Sequence, residues 1–261
     1  MKRARVAYAG AVHSAVEAAG RLRLADGRTV DERDVVWLVP FAPRTIFAVG
    51  LNYADHVKEL AKELPGSKQE EPLVFLKGPN TLAGHRAQTR RPSDATFMHY
   101  ECELAVVIGK TARNVTRAEA YDYVAGYTVA NDYAIRDYLE NYYRPNLRTK
   151  NRDGCTLLGP WLVDKQDIVD PMNLKLRTLV NGKVTQEGST RNMIFDVPFL
   201  IEYLSGFMTL SAGDVILTGT PEGVVNVGIG DEVVTEVENV GRLVNFIVGD
   251  ELFGIERSSL K

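Results

Sequence analysis

The sequence predicts an α+β fold, rich in strands and poor in helices, with a small β-rich appendage ahead of the main domain. Three observations predict it. Short alternating or apolar runs bounded by Gly, Pro, Asn and Asp recur along the chain, as strands do. Helix-like stretches are few. No regular strand–helix alternation appears, which argues against a Rossmann fold or a TIM barrel. The 261 residues suit one sizeable domain, or one domain with an appendage.

The first 44 residues differ from the rest. Arg5-Val6-Ala7-Tyr8 and Arg21-Leu22-Arg23-Leu24 read as short strands, and Pro40 and Pro43 punctuate the end of this unit. A domain of residues 1–44 is therefore expected, followed by a main domain of residues 45–261. Strand-like residues 45–50 open the main domain. Residues 53–64 are polar and helix-prone and end at Pro65-Gly66; residues 62–71 are charged and expected to be mobile, able to close as a lid. Strands are expected at 73–76, 101–108 and 123–130. Residues 116–121 form a short helix signal, with Thr116 as N-cap and Glu119 completing a capping box. Residues 132–143 read as a helix stopped before Pro145. A strand at 174–180 meets Asn181-Gly182, a strong hairpin signal. Residues 199–204 read as helix, and 214–217, 232–237 and 242–248 as late strands. No internal repeat or low-complexity tract is present.

Composition narrows the function. Net charge is −3, with 31 basic against 34 acidic residues, and no long Lys/Arg run appears. Broad binding to nucleic acid or to a membrane surface is not expected. No apolar stretch is long enough to span a bilayer. The basic start Met1-Lys2-Arg3-Ala4-Arg5 leads into a segment broken by Tyr8, His13, Glu17 and Arg21, a poor signal peptide. The two cysteines, Cys102 and Cys155, lack metal or redox spacing. The cytoplasm is the expected compartment.

The most informative feature is Glu101 and Glu103 in Met98-His99-Tyr100-Glu101-Cys102-Glu103-Leu104. On a strand both carboxylates face the same way, with Cys102 on the opposite side. Two like charges there repel each other and resist burial, and a cation between them would reverse both penalties. An edge strand with its polar face in water fits the spacing equally. Asp132 is the best third partner, although a plain N-cap explains it too. Three oxygen ligands suit Mg²⁺, Mn²⁺ or Ca²⁺ rather than Zn²⁺. Arg136, one helical turn after Asp132, could hold that aspartate or meet a substrate carboxylate. His56 and Glu59 share a helix face and could move a proton, or form a solvated pair. Lys150 could neutralise a developing enolate, and Lys77 at the end of a strand is similar; a solvated basic site is the plainer reading of each. Leu217-Thr218-Gly219-Thr220-Pro221-Glu222-Gly223 lets backbone amides approach a ligand, or is a simple turn. Gly228 and Gly230 lack the context of a dinucleotide fingerprint.

Together these segments resemble the fumarylacetoacetate hydrolase family. The resemblance runs from about Pro43 onward. It rests on Val49-Gly50-Leu51-Asn52-Tyr53-Ala54-Asp55-His56, Phe75-Leu76-Lys77, His99-Tyr100-Glu101-Cys102-Glu103-Leu104, Asn131-Asp132-Tyr133-Ala134-Ile135-Arg136-Asp137 and Thr218-Gly219-Thr220-Pro221. It implies the mixed β-roll of the family's C-terminal domain. It also implies Mg²⁺ or Mn²⁺ on Glu101, Glu103 and Asp132, and Lys150 as the active-site lysine. His56 and Glu59 match the pair that hydrolytic members use on water, and Thr220 lies on the substrate loop. Family hydrolases often carry a Gln about two turns after the metal aspartate, where Leu139 stands here. That departure, with residues 132–148, points to members that decarboxylate and isomerise an unsaturated 2-oxo di- or tricarboxylate in aromatic catabolism. The substrates implied are 5-oxopent-3-ene-1,2,5-tricarboxylate and 2-hydroxyhepta-2,4-diene-1,7-dioate, reacting through a dienolate. Acylpyruvate or fumarylpyruvate hydrolysis, oxaloacetate decarboxylation and a catalytically silent metal-stabilised module are the alternatives. Because some members fuse two copies of the unit, a homodimer is expected.

Overall fold

Turn residues and two-residue alternation make strands the commonest regular structure among the described residues. The structure, a computed structural model, describes residues 1–55, 70–139 and 146–251. Five strands form near the start: β1 (Lys2–Tyr8), β2 (Ala11–Ala18), β3 (Arg21–Leu24), β4 (Thr29–Val30) and β5 (Val36–Leu38). β6 (Ile46–Gly50), β7 (Leu73–Lys77) and three short strands follow: β8 (Leu82–Ala83), β9 (Gln88–Arg90) and β10 (Met98–His99). The centre is built from β11 (Cys102–Ile108), β12 (Val124–Asp132) and β14 (Thr156–Asp164), with β13 (Ala134–Ile135) between the last two. β15 (Lys175–Val180), β16 (Lys183–Ser189), β17 (Val215–Leu217), β18 (Glu232–Val237) and β19 (Gly241–Val248) complete the set.

The strands form two main sheets. The larger has twelve strands, in the order β4-β3-β2-β1-β14-β12-β11-β17-β6-β7, with β5 on β1 and β8 on β14. The smaller has five, in the order β16-β15-β18-β19-β9; β10 and β13 pair separately. The main core lies between the sheets. Cys102, Leu104, Val106 and Ile108 of β11 join Leu176 of β15, Val233 and Val237 of β18, and Leu243 and Ile247 of β19. Burying each large aliphatic side chain contributes about 1.5–3 kcal/mol. The helix Val197–Phe207 adds Val197, Leu200, Ile201 and Leu204, one apolar stripe at helical spacing. Asp196 caps it by accepting from the Phe199 amide.

The opposite face of β11 carries Glu103 and Ala105. Ala105 packs with Ala48, Phe75, Ala130 and Leu217 in a second, smaller cluster. Alternation along β11 thus sends Cys102 into the main core and its glutamate neighbour to the other side. The N-terminal strands have a core of their own, from Ala4, Val6, Ala15, Leu22, Leu24, Val30 and Trp37. Trp161 of β14 meets Trp37 edge-on at 5.3 Å, and Lys2 and Arg3 pair with Val163 and Leu162.

Most expected elements form. Asn181 and Gly182 both take positive φ and join β15 to β16. The expected short helix is a 3-10 helix at Arg117–Tyr123, and Glu119 accepts from the Thr116 amide and hydroxyl. The expected helix at 132–143 does not form among the described residues. Asp132 ends strand β12, and β13 and a 3-10 turn at Arg136–Tyr138 follow. Sheet pairing overrides the local signal: Asn131 lies between Cys102 and Leu157, and Asp132 pairs with Thr156. The expected helix at 53–64 and the segment 62–71 fall almost wholly outside the described residues. No helix among the described residues is long and apolar enough to cross a membrane.

Candidate active site

Two strand ends create the site. Glu101 immediately precedes β11, and Asp132 ends the neighbouring β12. The Asp132 amide donates to the Glu101 carbonyl at 3.0 Å, and the Glu101 amide donates to Asn131 Oδ1 at 3.1 Å. This register brings one oxygen from each of Glu101, Glu103 and Asp132 within 4.8 Å of the others. The three are 7, 1 and 0% exposed, which removes the edge-strand reading of the glutamate pair. β11 is an inner strand, flanked by β12 and β17.

Two lysines face the acids. Lys150 ends the short helix Leu147–Lys150. Its ammonium pairs with Glu101 and lies 2.9 Å from Asp132 Oδ2, with Nζ 5.8 Å from the Phe75 ring centre. The solvated-loop reading of Lys150 therefore fails. Lys77 ends β7, and its ammonium donates to Asp132 Oδ1 and to the Lys150 carbonyl. Its side chain is fully enclosed, so this amine holds Asp132 in place. With all five groups ionised, three negative charges face two positive ones.

Burial sets the charge states. It pushes the Glu103 carboxyl well above the usual range, and the charges of Asp132 and Glu101 push the same way; Lys150 and the Gly219 amide oppose them. Burial by itself pulls the Lys150 ammonium down. The combined field of Asp132, Glu101 and Glu103 outweighs it and holds that ammonium above the ordinary lysine value. A hard divalent cation fits this centre, because the donors are all carboxylate oxygens and are buried together.

The loop after β17 supports Glu103. The Gly219 amide donates to Glu103 Oε2 at 2.6 Å. Gly219 has φ +89°, and a Cβ there would lie 3.0 Å from the Val49 carbonyl oxygen, so glycine is required. Asn52 fixes the loop from behind. It donates to the Thr218 and Phe195 carbonyls at 2.8 and 3.0 Å and accepts from the Phe195 amide at 2.8 Å. Thr220 is 3% exposed and accepts from Gln186.

Arg136 belongs to the 3-10 turn and does not share a helix face with Asp132. Its Nε donates to His99 Nε2 at 2.8 Å. An arginine only donates, so His99 Nε2 is the bare nitrogen, and Nδ1 donates to the Tyr100 carbonyl at 3.0 Å. His56 and Glu59 lie outside the described residues. Leu139 is 41% exposed at the end of the Arg136 turn. Both cysteines are free and buried, and burial pushes the Cys102 thiol up to about 12, as for an inert core residue.

Sequence reasoning missed His99, Asn52 and Gln186. His99 has the same parity as Glu101 and Glu103, a usable signal of a shared strand face. Asn52 stands inside a quoted motif without a role. Gln186 gives no signal, since its neighbours come from the pairing of β15 with β16 and from a loop more than thirty residues away.

Comparison with known proteins decides the family. The fumarylacetoacetate (FAA) hydrolase C-terminal model matches residues 45–248. This chain belongs to the fumarylacetoacetate hydrolase family. Among other family members, the 4-hydroxyphenylacetate degradation bifunctional isomerase/decarboxylase of Salmonella dublin is 63% identical over 210 residues. That match covers 80% of this chain and 48% of the relative, and the chain spans about half the length of the curated isomerase/decarboxylase relatives it matches. A solved structure of 5-carboxymethyl-2-hydroxymuconate delta-isomerase from Mycobacterium smegmatis has a TM-score of 0.84 at 37% identity, covering 96% of this chain and 99% of that one. Maleylpyruvate hydrolase from Sphingobium sp. SYK-6, solved with manganese(II) and pyruvate, has a TM-score of 0.80 at 25% identity, covering 95 and 99%.

Proposed function

We propose that this chain is a divalent-metal-dependent decarboxylase and isomerase of an unsaturated 2-oxo di- or tricarboxylate in aromatic catabolism. The substrates proposed are 5-oxopent-3-ene-1,2,5-tricarboxylate and 2-hydroxyhepta-2,4-diene-1,7-dioate. The observation that carries the reading is the Lys150 ammonium held charged among three buried carboxylates. The 63% identity to an isomerase/decarboxylase supports the choice of reaction.

Glu101, Glu103 and Asp132 would hold Mg²⁺ or Mn²⁺, which when bound supplies Lewis acidity toward a 2-oxo acid. Decarboxylation breaks the bond to a carboxylate and leaves its electron pair in a dienolate. Isomerisation reaches the same dienolate by loss of a proton. Lys150 places positive charge where that anion develops. Lys77 keeps Asp132 oriented. Arg136, whose Nε donates to His99, is proposed to offer its Nη groups to a substrate carboxylate. The Thr220 hydroxyl is proposed as a substrate contact, and His56 with Glu59 as the proton-transfer pair. The unit is proposed to work as a homodimer in the cytoplasm.

The test is a Mn²⁺-supplemented assay with unsaturated 2-oxo dicarboxylates, acylpyruvates and oxaloacetate, following CO₂ and organic products. CO₂ release or double-bond migration is expected, without a cleaved acyl acid. Acyl-acid release would replace the reading with hydrolysis. Glu101→Ala is expected to lose turnover and Mn²⁺ binding together, and full turnover after chelation would overturn the metal role.

A further inference from the structure

Gln186 sits in β16 opposite Thr178 and is 2% exposed. One end of its amide lies 2.8 Å from the Pro221 carbonyl, which can only accept, so that end is Nε2. The other end, Oε1, accepts from the Thr178 hydroxyl at 2.8 Å. The same Nε2 donates to Thr220 Oγ1 at 2.9 Å. Thr220 is therefore the acceptor in that contact, and its own proton points elsewhere. Among the described residues nothing accepts it, although the side chain is buried. A buried donor left unmatched is costly, so a ligand oxygen is its natural partner. The adjacent Gly219 amide already holds Glu103, which puts Thr220 at the rim of the acid cluster.

The surrounding packing leaves this arrangement little slack. A Cβ on Gly188 of β16 would lie 2.5 Å from Pro221, so only glycine lets that strand approach the loop. A Cβ on Gly223, at φ +99°, would lie 3.0 Å from the Thr185 carbonyl oxygen, and the Tyr100 hydroxyl donates to the Gly223 carbonyl at 2.9 Å. The β15–β16 hairpin thus braces residues 219–223.

We propose that Gln186 is a positioning residue that fixes the Thr220 hydroxyl as a hydrogen-bond donor to an oxygen of the bound 2-oxo acid. This rests on the proposed function of the same site. The Thr178–Gln186–Thr220 chain sets which way the hydroxyl proton faces before any ligand arrives, and this pre-orientation strengthens binding without reorganisation.

The test is a double-mutant cycle on the full chain loaded with Mn²⁺, with pyruvate as the probe in calorimetric titration. Gln186→Met and Thr220→Val are each expected to weaken pyruvate binding roughly tenfold, the loss expected for one hydrogen bond to a charged group. The double variant is expected to bind no worse than Thr220→Val alone, and Mn²⁺ affinity to stay within about twofold throughout. Wild-type binding by Gln186→Met, or losses that simply add, would overturn the proposal and leave Gln186 a structural brace. Should Gln186→Met fail to fold, Gln186→Glu keeps the size and polarity but turns the Thr220 proton toward its own carboxylate. Weaker pyruvate binding with an unchanged circular dichroism spectrum is then expected, and unchanged binding overturns the proposal. A wild-type protein that binds Mn²⁺ but neither binds pyruvate nor turns over any 2-oxo acid overturns the functional reading itself, and this inference with it.

Discussion

Residues 26–33 and residues 101–150 both set carboxylates beside cations, and they reach opposite electrostatic results. Asp26 accepts from the Arg28 side chain at 3.0 and 2.6 Å, and Asp31 from the Arg33 side chain at 2.9 and 3.1 Å. Those hydrogen bonds hold both carboxyls down at about 2. Glu103 has an amide donor at 2.6 Å and a lysine nearby, yet its carboxyl is pushed well up by burial and by two neighbouring carboxylates. Donors alone do not decide a charge state; access to water does. At the surface each charge would persist without its partner. Inside, each persists only through its neighbours, so the pairs near the N-terminus are dispensable and the acid–lysine centre is not.

The largest effect that could break this comparison comes from Asp132→Asn. Both lysine ammoniums bond to that carboxylate, so the variant leaves buried positive charge uncompensated. Turnover of the 2-oxo acid is expected to fall about 10³-fold, with Mn²⁺ binding lost by titration. Urea unfolding is expected to show a destabilisation of about 3–5 kcal/mol, the cost of removing one partner from a buried ion pair. A variant as stable as the parent would mean that the centre tolerates unpaired charge as the surface does.

Much of that centre was legible before any coordinates. Alternation put Glu101 and Glu103 on one face, and Asn181-Gly182 fixed a hairpin, because both signals are local and strong. Asp132 was legible as a candidate acid but misplaced on a helix. Its strand exists through pairing with residues 101 and 156, and no local signal reports that pairing. Lys77 looked like Lys150, a charge for a developing enolate, for the same reason. Its amine bonds Asp132 and the Lys150 carbonyl, two partners remote in sequence. Gln186 was the least legible, since a polar residue in mid-strand looks like any exposed position until the loop that covers it is known.

An intermediate case sharpens the contrast. His85 packs edge-on to Trp37 at 5.0 Å, and its Nδ1 accepts from the Val244 amide at 3.1 Å. Burial pushes the imidazolium down to about 3, with the charges of Arg86 and Arg242 adding to it. Above pH 6.5 the ring is neutral whether folded or unfolded, and the contribution to stability is complete. As pH falls from 6.5 toward 3 only the unfolded chain takes up the proton, so stability drops by about 1.4 kcal/mol per pH unit from this group. His85→Asn retains an acceptor for the Val244 amide and removes the titration. Urea unfolding across pH 6 to 4 is expected to show a shallower decline in the variant by about that slope. Parallel curves would show that His85 is protonated within the fold.

The smallest effect belongs to Asp31→Asn, and it tests the surface half of the comparison. Asp31 does two jobs: it pairs with the Arg33 guanidinium, and it caps the 3-10 turn Glu32–Asp34 by accepting from the Arg33 amide at 2.9 Å. Asparagine retains a capping oxygen, so this change removes the charge and leaves the cap. The native carboxyl titrates near 2 rather than 3.8, so whatever the pair contributes is present above 3.8 and lost as pH falls toward 2. Solvent screens such a pair, and holding two flexible side chains together costs entropy. Scanning calorimetry at pH 7 in physiological salt is therefore expected to resolve no change in Tm. A loss as large as that of Asp132→Asn would show that exposure does not separate the two kinds of pair.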